Sequence, residues 1–225
     1  VSIAVIFDMD GVLIDSQPLH YAVDIRVLKA CGHPATIETV TPYTGIGNPD
    51  RWPKYKEDLN LSQEVDELIA MTEEAMRDIF SAANLPLIDG VALLIDGIKA
   101  MGIRIGVASS SPPELISLIL QKTGIADKFD FIVSGEDVSE GKPSPEIYLR
   151  AAEKAGFPPE KCVAIEDAPV GILAAKNAGI TCIAYKNPGT IGQDFTNATY
   201  VIDKFDDAFP IIKTLFFRVA TGMSL

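Results

Sequence analysis

Short, largely apolar runs recur along this chain, with helical patterns between them. The runs are Ile3–Phe7, Ile103–Ala108, Phe131–Val133, Cys162–Ile165 and Thr181–Tyr185, with Tyr200–Ile202 as a weaker sixth. Three to six largely apolar or β-branched residues without polar alternation describe a strand buried on both faces. Helical patterns follow at Gly90–Met101, Pro113–Thr123, Pro145–Ala155, Pro169–Ala178 and Asp206–Val219. Gly102, Gly124, Gly156 and Gly179 stand just past helix ends, where a left-handed residue stops the helix. Pro145 and Pro169 stand where a first helical turn tolerates proline. Strand alternating with helix builds βαβ units, so the expected fold is α/β with a doubly wound parallel sheet.

One stretch breaks the rhythm. Residues 16–85 hold no convincing strand but show helical patterns at Pro18–Ala30, Pro49–Leu59 and Gln63–Ala83. In the last, Val65, Leu68, Ile69, Met76, Ile79 and Phe80 recur at helical spacing. The expected organisation is an α/β core of residues 1–15 and 86–225, with a helical cap, 16–85, inserted after the first strand.

The net charge is −12. An acidic surface repels nucleic acid and anionic membrane, so neither is an expected partner. An anionic substrate would need local positive charge, most simply a bound cation. The first residues are expected to form a buried strand, not a signal peptide, and no apolar run approaches the roughly 20 residues of a membrane span. Cys31, Cys162 and Cys182 are far apart and odd in number, as in a reduced cytoplasmic protein. A monomer is the default expectation.

Four segments carry chemistry. Asp8 and Asp10 follow the first strand directly, with Gly11 free to turn sharply. In open α/β sheets the reactive crevice lies beyond the carboxyl ends of strands. Ser109-Ser110-Ser111 follows the second core strand, where hydroxyls and a helix N-terminus can meet a phosphate or simply cap the helix. Lys142 lies in a Gly/Pro loop before a helix, and Glu166-Asp167 close another apolar strand. Two acidic pairs at neighbouring strand ends call for a metal with oxygen ligands between them.

In this order, DMDGVLIDS, VASSS, GKPSPEIY and AIEDAPVGILAAKNAG closely resemble the haloacid dehalogenase-like (HAD) hydrolase superfamily, nearest its β-phosphoglucomutase and sugar-phosphatase branch. The resemblance spans the chain and implies a Rossmann-like core with an inserted cap. It implies Mg²⁺-dependent phosphoryl transfer from a small phosphorylated metabolite. Asp8 would attack phosphorus and form an aspartyl-phosphate. Asp10 would act as general acid and then base. Ser109 and Lys142 would hold the phosphoryl group. Asp8, the Asp10 carbonyl and Asp167 would bind Mg²⁺, with Glu166 a ligand or close neighbour. Met9, Ser110, His20 and Arg51 are the candidates for contact with substrate or its phosphate.

The departures bear on substrate. Mutases of the branch grip a second phosphate with a basic residue early in the cap and a lysine on a later cap helix. Here Arg51 stands near, but not clearly at, the first position, and Glu73-Glu74 stand where the lysine is expected. Pro112-Pro113 follow the serines in place of polar phosphate-binding residues. A phosphatase of a sugar monophosphate is therefore expected, with β-phosphoglucomutase as the alternative. A phosphoacceptor signalling module would be shorter and capless, and a true dehalogenase would need neither Asp10 nor a metal.

Overall fold

The computed structural model describes residues 3–44, 46–189 and 192–221. The chain divides into two compact units, Val1–Asp15 with Leu85–Leu225, and Ser16–Asn84.

The first unit is built on a parallel sheet. Its strands among the described residues are β1 (Ala4–Phe7), β2 (Arg104–Ser109), β3 (Phe131–Ser134), β4 (Cys162–Glu166), β5 (Thr181–Tyr185) and β6 (Tyr200–Ile202), in the order β3-β2-β1-β4-β5-β6. Every pairing is parallel. The doubly wound sheet expected from the alternating pattern is thus the observed one, including its weak sixth strand. The chain leaves β1 toward β2 on one side and later returns to β4 on the other. That reversal is the switch point where α/β sheets place their crevice.

Side-chain alternation explains the two buried faces. Ala4, Ile6, Ala108, Val133, Ala164, Cys182 and Ala184 point to one side and pack with Ile147, Tyr148, Ala151, Ala152, Ile172 and Ala175. The latter come from α7 (Glu146–Ala155) and α8 (Pro169–Asn177). So many alanines let the helices lie close to the sheet. Val5, Phe7, Ile105, Val107, Val163, Ile165 and Ile183 point the other way and are equally buried. On the flanks, α5 (Val91–Ala100) packs against β2 and α9 (Ala208–Ala220), and α6 (Pro113–Lys122) against β3.

The second unit is helical: α1 (Gln17–Ala30), α2 (Ile37–Val40), α3 (Asn48–Leu59) and α4 (Val65–Ala82). In α4, Leu68, Thr72, Ala75, Met76 and Phe80 are buried, and Val65, Ile69 and Ile79 only half-buried. Thr72 tolerates burial because its hydroxyl donates to the Leu68 carbonyl at 2.7 Å. The short α2 carries no periodicity long enough to read in advance. No helix among the described residues is long and apolar enough to cross a membrane.

Candidate active site

The parallel register of β1 with β4 sets Phe7 beside Ile165. One residue further on, Asp8 and Glu166 leave adjacent strands side by side, with Asp167 next. Asp8 is pinned there by its N–H, which donates to the Ile165 carbonyl at 2.9 Å. Carboxylate oxygens of Asp8, Glu166 and Asp167 lie within 4.8 Å of one another, and all three residues are buried.

Lys142 enters this cluster from a loop held by Glu146, whose Oε2 accepts from the Ser139 N–H and hydroxyl and from the Glu140 N–H. Lys142 Nζ donates to Asp8 Oδ1 at 2.6 Å, Glu166 Oε1 at 2.6 Å and the Ala108 carbonyl at 3.2 Å. An ammonium has three donors, so three acceptors satisfy it and fix its position. Tyr148 donates to Glu166 Oε1 at 2.8 Å. Glu166 Oε2 accepts from the main-chain N–H groups of Asp167 and Ala168. Both Glu166 oxygens are therefore engaged twice.

The charges do not balance. Burial pushes the Asp8 carboxyl well above its ordinary range; Lys142 opposes this, while Glu166, Asp10 and Asp167 add to it. Burial disfavours the Lys142 ammonium, but Asp8 and Glu166 outweigh that and hold its proton more tightly than usual. One ammonium faces three buried carboxylates, and hard oxygen donors in this number suit a small divalent cation.

Two glycines make the close approaches possible. Gly11 adopts φ +81°, and a Cβ there would overlap the Asp167 carboxylate. A Cβ on Gly171 would overlap the Glu166 carboxylate. The turn itself is closed by the Met9 carbonyl, which accepts from the N–H groups of Val12, Leu13 and Ile14. Met9 is fully buried.

Asp10 is half-buried, and its Oδ2 accepts from the Ser111 hydroxyl at 3.2 Å. Ser111 is held in turn: its carbonyl accepts from the Ser134 hydroxyl at 2.9 Å, and its N–H donates to Ser109 Oγ at 3.1 Å. Ser109 is buried beside Asp10's partner, whereas Ser110 is exposed. Ser111 was read only as the third member of its serine run, without its bond to Asp10, and Tyr148 and Asn187 were not singled out by sequence. Tyr148 carries the signature of a core helix residue and nothing more. On the expectation that Asp10 is the general acid and base, Ser111→Ala should lower kcat about 10–100-fold, the worth of one hydrogen bond to a charged group, with KM little changed. Steady-state kinetics beside Ser111→Thr, which keeps the hydroxyl, would check this.

His20 and Arg51 belong to the helical unit. The His20 ring lies 5.3 Å from that of Phe80. The Arg51 guanidinium pairs with Asp24 at 3.2 Å and donates to Asn48 Oδ1 at 2.5 Å and the Ile46 carbonyl at 3.1 Å. Tyr55 donates to the other Asp24 oxygen at 3.0 Å. These partners tie α1 to α3. Arg51→Ala leaves Asp24 buried without its cation and is expected to cost about 3 kcal/mol in urea unfolding. Burial already raises the Asp24 carboxyl, with Arg51 and Tyr55 opposing. Without Arg51 it rises further. The unfolded chain releases this proton near the ordinary carboxylate value while the folded variant retains it. The deficit should therefore be smallest in acid and widen as pH rises through the folded value.

A family model of haloacid dehalogenase-like hydrolases matches residues 4–179. A phosphorylated carbohydrates phosphatase of Thermotoga maritima is 34% identical over 177 residues, covering 79% of this chain and 82% of that protein. The crystal structure of CbbY from Rhodobacter sphaeroides in complex with phosphate superposes with a TM-score of 0.79 at 28% identity, covering 91% of this chain and 95% of that one. β-Phosphoglucomutase from Clostridium difficile gives a TM-score of 0.80 at 27% identity, covering 98% and 100%. The family match runs from β1 through α8 and takes in every residue of the carboxylate–lysine cluster, so the chain belongs to the haloacid dehalogenase-like hydrolase family.

Proposed function

We propose that this enzyme, an HAD-like phosphatase, removes the phosphoryl group from a small sugar monophosphate through an aspartyl-phosphate on Asp8. The observation that carries this reading is the buried trio Asp8, Glu166 and Asp167 around the Lys142 ammonium at the sheet's switch point. A carboxylate in that setting is costly unless it works as nucleophile and ligand together.

Asp8 Oδ1 is taken by Lys142, so Oδ2 is the attacking oxygen. It forms a bond to phosphorus as the bond from phosphorus to the sugar oxygen breaks. Asp10 gives its proton to that departing oxygen. It then takes a proton from the water that attacks the aspartyl-phosphate, which restores Asp8 and frees phosphate. Lys142 offsets charge on the transferring group, and Ser109, whose oxygen already accepts from Ser111, has its own proton to donate to a phosphoryl oxygen.

Asp8, Asp167 and the Asp10 carbonyl would hold Mg²⁺, which when bound supplies charge neutralisation and alignment for in-line attack. Glu166, with four donors already on its two oxygens, anchors Lys142 instead of leading the metal shell. Arg51, with Asp24, Asn48 and Ile46 as partners, is assigned to holding the helical unit together.

Relatives named for phosphorylated carbohydrates support the substrate class. Pro112, which opens α6 with no polar side chain, and the exposed Glu73 and Glu74 favour a monophosphate over a bisphosphate. The test incubates the enzyme with Mg²⁺ and a panel of sugar monophosphates, with and without glucose 1,6-bisphosphate. Free phosphate and isomerised sugar phosphate are both followed. Steady phosphate release without the bisphosphate is expected. Bisphosphate-dependent conversion of β-glucose 1-phosphate to glucose 6-phosphate, with little free phosphate, would make the enzyme a mutase.

A further inference from the structure

Asn187 stands two residues past β5 and is only 4% exposed. Its side-chain Nδ2 donates to the Gly11 carbonyl at 2.9 Å, and its Oδ1 accepts from the Gly189 N–H at 2.7 Å. Its own carbonyl accepts from Gln193 Nε2 at 2.8 Å. β5 is not the neighbour of β1: β4 lies between them. The amide therefore reaches past the end of β4, where Glu166 and Asp167 emerge, to grip the turn that carries Asp8 and Asp10.

Gly11 is where a grip matters. Its N–H is taken by the Ile14 carbonyl at 2.8 Å and its carbonyl by Asn187, so both main-chain groups are fixed. Its α-carbon lies so close to the Asp167 carboxylate that no side chain fits. Any drift of Gly11 would change the spacing between the Asp10 segment and Asp167. The donor's chemistry also fits. A neutral amide satisfies a buried carbonyl without adding charge to an acidic cluster. A lysine there would compete with a cation, and an ionised aspartate could not donate.

We infer that Asn187 is a positioning residue for this site: its amide fixes Gly11 and so sets the spacing between the Asp8–Asp10 turn and Asp167. The inference rests on these residues being the phosphoryl-transfer and metal site.

Loss of an outer-shell partner typically costs about 10–100-fold in activity or metal affinity. Asn187→Ala is therefore expected to lower kcat by about tenfold or more, with KM within about twofold, and to weaken Mn²⁺ binding by about tenfold, as counted by EPR of free Mn²⁺. The control is Thr199→Ala. It removes the hydroxyl that accepts from the Cys182 N–H, a β5 group with no link to Gly11. The control should keep both readouts near wild type. Wild-type kcat and Mn²⁺ affinity in Asn187→Ala would overturn the inference, as would an equal loss in Thr199→Ala. Should Asn187→Ala not fold, Gln193→Ala loosens Asn187 from a half-buried position. It should lower kcat and Mn²⁺ affinity in the same direction, and wild-type values there would overturn the inference. Wild-type enzyme inactive on every monophosphate would sink the phosphatase reading, and the Mn²⁺ measurement would then decide on Asn187 alone.

Discussion

Asp8→Asn should reduce turnover by about 10⁴-fold or more, the scale seen when a nucleophile acting within a catalytic unit is removed. The replacement keeps the shape of the side chain and can still accept from Lys142 through its carbonyl oxygen, so packing around β1 is preserved. What disappears is the negative, nucleophilic oxygen: an amide attacks phosphorus far more weakly. Stability should not fall with activity. Asp8 is raised by burial and by its carboxylate neighbours, so neutralising it removes repulsion from Glu166 and Asp167. Phosphate release and urea unfolding on the same preparation would show both halves. Residual turnover above about a hundredth of wild type would place the nucleophile elsewhere.

Lys142→Met should damage fold and function together. The Lys142 and Glu166 side chains are 7% and 1% exposed, and the Lys142 ammonium is the cation between Glu166 and Asp8. Methionine fills the volume of the alkyl stem but leaves two buried carboxylates facing each other. Breaking a buried ion pair from one side costs about 3–5 kcal/mol, and that is the expected loss in urea unfolding with chelator present. Activity should fall about 10²–10³-fold, the scale for one removed group that stabilises transition-state charge. Saturating Mg²⁺ should recover part of the stability, because a ligand that binds only the folded state stabilises it. A variant as stable as wild type in chelator would mean that one of the carboxylates carries a proton in the resting enzyme.

Much of the core was legible because burial leaves a plain mark. The run Ile3–Phe7 and its counterparts could only be strands covered on both faces, and their alternation with helices implied the parallel sheet that is observed. Asp8 and Glu166 could be paired in advance by chemistry: acidic residues at two strand ends are tolerable only where something gathers them, and the register of β1 on β4 does so. The hydrogen bonds of Ser111, Tyr148 and Asn187 were not legible, for a shared reason. Each residue acts through one hydrogen bond to a residue distant in sequence, across separations of 101, 18 and 176 positions. Nothing in local periodicity marks such a bond. Arg51 illustrates a different limit. Resemblance suggested a phosphate contact, but its partner Asp24 lies on another helix, and the demand of that buried carboxylate is visible only in three dimensions.

Most directly, the central claim can be tested by catching the phosphoryl group on the protein. The enzyme would be mixed with its best sugar monophosphate and Mg²⁺, quenched within the first turnover, and reduced with borohydride. That converts an aspartyl-phosphate to homoserine, which peptide mass spectrometry can locate. Homoserine at position 8 in the active enzyme, and none in Asp8→Asn, is the predicted result. Turnover with no homoserine at position 8 under any quench time, or with the modification at another carboxylate, would contradict covalent catalysis by Asp8.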